Sequence, residues 1–175
     1  MGGIIQPLLR FVNQGVFPFI GREQELLHLQ QFSSKIGDTD SLQVLLLQGE
    51  AGVGKTRLLD ESLPLLAEND ATIIRAKFHT GTLCSSVSVL SDALRHSDSV
   101  RRIIKAESPT SLDFVISSIV RIAQVRRLII IVEDIHLLAD TALQEFAQII
   151  SALSDEPIGL LCASRLLDSK IRSII

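Results

Sequence analysis

Residues 49–56 read Gly-Glu-Ala-Gly-Val-Gly-Lys-Thr and match the pattern G-x-x-x-x-G-K-[ST] at every fixed position. No other feature constrains the fold as tightly, because this pattern has chemical meaning only between a strand and a helix. Leu42-Gln43-Val44-Leu45-Leu46-Leu47 supplies an apolar run of strand length before it, and Arg57 to Leu63 reads as a helix after it. In that context Gly49, Gly52 and Gly54 let the backbone N–H groups of the loop, Glu50, Ala51 and Val53 included, converge on a phosphate chain at a helix N-terminus. Lys55 adds a point charge near the β- and γ-phosphates, and the Thr56 hydroxyl is placed to ligate Mg²⁺. The alternative is a glycine-rich turn before an ordinary helix, and the flanking strand and helix weigh against it.

The rest of the chain alternates strands with helices. Ile4, Ile5, Leu8, Leu9 and Val12 fall at helical spacing and define an N-terminal arm over residues 1–18, either a helix packed on its own domain or a partner-binding arm. A core is expected over 19–175. Within it, Leu26, Leu27, Leu29, Phe32 and Ile36 mark one helix face, with Gly37 where a C-cap belongs. Pro64 is expected to kink or end the helix after the loop. Thr72 to Phe78 suits a second strand, residues 79–86 a loop, and Val87 to Arg95 and Val100 to Ala106 short helices. Ser108-Pro109-Thr110 reads as the entry to a helix whose apolar face is Leu112, Val115, Ile119, Ile122 and Ala123. Leu128 to Val132 is apolar throughout, as a strand buried on both faces must be; Ala142 to Leu153 is a further helix and Ile158 to Ala163 a further buried strand. The expected fold is therefore α/β, a P-loop NTPase with a parallel sheet of about four strands covered by helices on both faces.

Bulk properties narrow the function. A hydrophobic content of 46% with 21% charged residues describes a globular chain. The net charge of −3 offers no basic field, and Arg101-Arg102 and Arg126-Arg127 read as solvated element ends, so no direct nucleic-acid contact is expected. Cys84 and Cys162 lack C-x-x-C spacing and are expected to be reduced thiols in a cytoplasmic protein. No apolar run approaches the roughly 18 residues of a membrane span, so no membrane partner is expected.

The apolar strand at 128–132 ends in Glu133-Asp134, the form of a Walker B motif. Neighbouring strand residues point to opposite faces, so the two acids are expected to divide the work. One holds Mg²⁺ and the other positions or deprotonates the attacking water. By the usual order of these motifs Glu133 takes the metal and Asp134 the water; a register change of one residue reverses them.

Three segments together resemble the STAND-class signal-transduction ATPases, relatives of the AAA+ ATPases that include the ATP-binding part of large LuxR-type regulators. Phe19-Ile20-Gly21-Arg22-Glu23-Gln24-Glu25-Leu26 is similar to the family's hhGRE-x-E-L opening. Residues 46–59 follow its G-E-A-G-x-G-K-[ST]-R-L-L form through Arg57, and Ile131 to His136 its hhEDhH Walker B. The resemblance covers about residues 17–166 and implies ATP with Mg²⁺, an adenine site lined by Ile20, Gly21 and Arg22, and contacts from the loop through Arg57. It offers Arg165, at the end of the last strand, as a γ-phosphate sensor or else a surface arginine; His136, which lacks the aromatic residue the family often places after it, is expected to be a supporting or packing residue rather than a ligand. Against the family's pattern a fifth strand and lid are expected to be missing, and the resemblance implies an effector domain or partner protomers outside these residues. The function so implied is a slowly hydrolysing regulatory ATPase that acts as a nucleotide-dependent switch in signalling or transcription control. The competing readings are an origin-recognition-like AAA+ ATPase acting on DNA, a small-molecule P-loop kinase, and a non-enzymatic interaction module; the intact Lys55, Thr56, Glu133 and Asp134 argue against the last.

Overall fold

A computed structural model describes residues 19–79, 85–104, 110–165 and 169–174. The expected N-terminal arm, most of the 79–86 loop and the Ser108-Pro109 helix entry lie outside those residues. Along the chain the elements are α1 (Glu23–Lys35), β1 (Gln43–Gln48), α2 (Lys55–Leu66), β2 (Thr72–Lys77), α3 (Ser86–His96), α4 (Asp98–Arg101), α5 (Leu112–Ala123), β3 (Leu128–Glu133), α6 (Asp140–Ala152), β4 (Ile158–Ser164) and α7 (Ser169–Arg172).

The strands form one four-stranded parallel sheet in the order β1-β4-β3-β2. The central strands β3 and β4 are buried along their whole length, which accounts for their unbroken apolar sequences. Alternation then sorts the side chains. Ile129, Ile131, Leu161 and Ala163 face α1 and α2, packing on Leu29, Phe32, Leu58, Leu59 and Leu66. Ile130, Val132, Leu160 and Cys162 face α3, α5 and α6, packing on Leu90, Leu94, Ile119, Ile122 and Phe146. The α/β sheet read from the sequence is thus present, and the phosphate-loop strand β1 lies at one edge of the sheet formed by the described residues.

Three local expectations change. Helix α2 runs on through Pro64 to Leu66, because the missing N–H falls so near the C-terminus that one ladder bond is lost while Leu66, fully buried, anchors the last turn. The helix expected at Val100–Ala106 is the single turn α4 followed by a turn in which the N–H groups of Ile103 and Ile104 both donate to Val100 O; residues 105 and 106 are outside the described set. The cap of α5 is Ser111, whose hydroxyl accepts from Phe114 N at 3.1 Å, one residue after the expected entry. None of the described helices is long and apolar enough to cross a membrane.

Cys162 is buried among these side chains, and burial pushes its thiol pKa up to about 12. Gly159 lies on β4 opposite Gln43 and Ile129, under the Phe32 and Ile36 side chains. A Cβ there would lie 2.2 Å from Ile36 Cδ1 and 3.0 Å from Phe32 Cζ, both on buried side chains. Gly159→Ala should therefore lower unfolding stability by about 1–3 kcal/mol through overpacking, measured by urea denaturation.

Candidate nucleotide site

β1 leads straight into the loop, and the loop leads straight into α2. Gly54 serves as the cap of α2 at φ 87°, a left-handed conformation that a side chain would strain, and Gly52 sits at φ 79°. At Gly49 a Cβ would meet Val53 Cγ2 at 2.9 Å, so a side chain there would require Val53 to shift. The Gly49 N–H donates to Ser164 O at 3.2 Å, tying the loop to the end of β4. Lys55 Nζ donates to Gly49 O at 2.7 Å and Glu50 O at 2.8 Å, which folds the ammonium back against the loop.

The acids come from the neighbouring strand. Glu133 is the last residue of β3 and points to the α2 side, with the parity of Ile129 and Ile131. It is 3% exposed, and Thr56 Oγ1 donates to its Oε2 at 2.9 Å. The loop hydroxyl and the first acid of the pair therefore meet, although 77 residues separate them. Asp134 lies beyond the strand at φ 58°, left-handed for a non-glycine residue, and its Oδ2 is 3.6 Å from Lys77 Nζ. A turn, not strand alternation, is what separates the two acids.

The opening segment reaches the same loop. Arg22 donates from Nη1 to Glu25 and from Nη2 to Val53 O at 2.8 Å, while Gly21 at φ 78° lets the chain turn into α1. Arg57 lies 5.8 Å from the ring centre of Phe19 and 3.7 Å from Glu61. Ile20 is 72% exposed beside this clamp. At the far side Arg165 is exposed, and its backbone N–H donates to His136 Nδ1 at 3.4 Å, so His136 joins the ends of β3 and β4.

Two residues that motif reading passes over sit on this face. Arg75 on β2 donates from Nε to Glu133 Oε1 at 2.7 Å and from Nη1 to Asp60 on α2. Burial opposes its charge, but the bonds to Glu133 and Asp60 outweigh burial and raise its pKa above the ordinary value. The signal was available: Arg75 and Lys77 put charges at two same-face positions of an otherwise apolar strand.

The donor set fits nucleotide-bound Mg²⁺, which is held by one or two protein groups plus phosphates and water. Thr56 and Glu133, joined by the 2.9 Å hydrogen bond, are the residues that would hold it.

A family model described as an AAA ATPase domain matches residues 18–162. The chain belongs to that family. Among solved structures, Cdc6p from Pyrobaculum aerophilum superposes with a TM-score of 0.63 at 18% identity, over 90% of this chain and 44% of that one. The Aeropyrum pernix Orc1 protein in complex with DNA gives 0.60 at 19% identity, over 89% and 43%. Drosophila ORC bound to DNA gives 0.61 at 14% identity, over 88% and 27%. At these identities the likeness is one of fold, and the chain spans less than half the length of each of these solved chains. A search of curated proteins finds no match.

One expectation is corrected by these structures. The net charge of −3 led to the reading that no direct nucleic-acid contact is made, yet two of the proteins sharing this fold are in complex with DNA. Net charge averages over a whole surface, while phosphate contacts are made by local groups, so it gives no ground for setting nucleic acid aside.

Burial holds the His136 pKa below the ordinary imidazole value, with Arg165 and Lys55 acting the same way and Asp134 opposing. The unfolded chain then takes up the proton first as pH falls. The stability advantage of wild type over His136→Asn should shrink as pH drops below about 6.5, measured by denaturant midpoints from pH 7.5 to 5.5.

Proposed function

We propose that this AAA ATPase domain binds ATP with Mg²⁺, hydrolyses it slowly, and presents its bound state as a switch to a partner protomer or effector domain in signalling or transcription control. The observation that carries this reading is the hydrogen bond from Thr56 to Glu133, which sets a hydroxyl and a carboxylate together at the helix N-terminus beside Lys55. In this reading Lys55 leaves its loop carbonyls for the β- and γ-phosphates, and the loop N–H groups hold the phosphate chain. Mg²⁺, when held by Thr56 and Glu133, would supply neutralisation of the charge that develops on the transferred phosphoryl group. Asp134 is assigned to the attacking water, which it orients and whose proton it accepts. Arg165 is assigned to sensing the γ-phosphate, with its backbone fixed by His136. Ile20, Gly21 and Arg22 are assigned to the adenine side, on a segment already clamped to Val53.

A second reading, an AAA+ domain acting within a DNA-bound assembly, is favoured by the Aeropyrum and Drosophila structures, whose proteins are in complex with DNA.

The two acids are separable. Asp134→Asn should bind Mg-ATP with near wild-type affinity but lose turnover, whereas Glu133→Gln should weaken Mg-ATP binding, with Lys55→Ala as the control that abolishes it. Calorimetry and single-turnover assays check this, and the opposite pattern swaps the two roles.

An arginine supplied in trans is worth about 10³–10⁵ in turnover. If a partner protomer supplies one, dilute chain should turn over well below about 1 s⁻¹, with the rate per protomer rising as concentration increases. Fast, concentration-independent turnover would instead indicate a complete site in the monomer, and acceleration by added duplex DNA would favour the second reading.

A further inference from the structure

Arg75 belongs to neither motif of the site, yet it touches the acid at its centre. Both oxygens of Glu133 are engaged: Oε2 accepts from Thr56 at 2.9 Å and Oε1 from Arg75 Nε at 2.7 Å. The second arm of the same guanidinium reaches Asp60, and Thr56 and Asp60 stand one helical turn apart on α2. One face of α2 is therefore linked to one carboxylate twice, directly through Thr56 and indirectly through Arg75. The side chains of Glu133, Arg75 and Asp60 are 4%, 30% and 54% exposed, so the chain of charges runs from the interior to the surface. The terminal torsion of a glutamate is broad and soft, so a carboxylate held by one oxygen alone can swivel. A planar guanidinium fixes direction in a way that a point-charge ammonium does not.

We propose that Arg75 is the positioning residue of the magnesium site: by holding Glu133 Oε1 from a support on Asp60, it keeps Oε2 on the Thr56 hydroxyl. The proposal rests on the nucleotide reading above. A residue that only offset the buried charge of Glu133 would be replaceable by lysine; a residue that sets direction is not.

The test titrates a fluorescent N-methylanthraniloyl ATP into the full chain across a Mg²⁺ series and in EDTA, for wild type, Arg75→Met, Arg75→Lys and Asp60→Asn, with folding checked by circular dichroism. The Mg²⁺ concentration that gives half of the metal-dependent gain in affinity should rise roughly tenfold in Arg75→Met and nearly as much in Arg75→Lys, while affinity in EDTA stays within about twofold. Asp60→Asn, at an exposed position, should shift it the same way by less, and with Arg75→Lys carries the test where Arg75→Met does not fold. A wild-type Mg²⁺ requirement in folded Arg75→Lys and Asp60→Asn overturns the proposal and leaves Arg75 a stabiliser of the fold. A lower requirement overturns it as well, since the guanidinium would then compete with the metal. Failure of the nucleotide reading is distinct: wild type itself would show no binding, or binding without a metal-dependent gain.

Discussion

Glu133 is 3% exposed at the end of β3, and a carboxyl group taken that far from water needs hydrogen-bond donors in place of the lost solvent. Thr56 and Arg75 are those donors. Meeting them requires α2 to lie across the sheet with its first turn at the C-terminal end of β3, and it requires β2 beside β3 in the register that sets Lys77 opposite Glu133. The apolar packing of Leu58, Leu59 and Leu66 on Ile129, Ile131, Leu161 and Ala163 holds the helix in that place. A polar cluster over an apolar floor thus gives the site both its chemistry and its rigidity, since the hydrogen bonds fix direction while the core fixes distance.

The other candidate residues gather at the same end of the sheet for a topological reason. In a parallel sheet with helical crossovers every strand delivers its C-terminal end to one edge, and ligands bind there. Here that edge carries the loop after β1, the acids after β3, and Arg165 after β4, with Gly49 N–H bonded to Ser164 O and His136 bonded to the Arg165 backbone. Membership of the AAA ATPase family agrees with that arrangement. The likeness to Cdc6p and Orc1 is one of fold.

Much of this is legible in the sequence. The apolar strands, the loop and the acid pair are local in sequence, and each carries its own chemistry or periodicity. Where the structure departs from the local pattern, a non-local interaction outweighs a local one. Pro64 is tolerated because buried Leu66 holds the last turn of α2, and the helix expected from Val100 gives way to a turn that buries Val100 and Ile104. Asp134 leaves the alternation that its position after β3 suggested, because the strand ends at Glu133 and the next residue turns left-handed.

By itself the sequence determined the phosphate loop, the buried strands, and therefore the α/β class, since spacing and hydrophobic period are properties of short segments. Only the tertiary structure decided which acid meets Thr56, that Arg75 and Asp60 join it, and that Arg22 closes on Val53. Those partners lie 77, 58, 15 and 31 residues apart along the chain. Their meeting is set by strand order and register, which depend on how all the helices pack on the sheet at once and which no local pattern encodes.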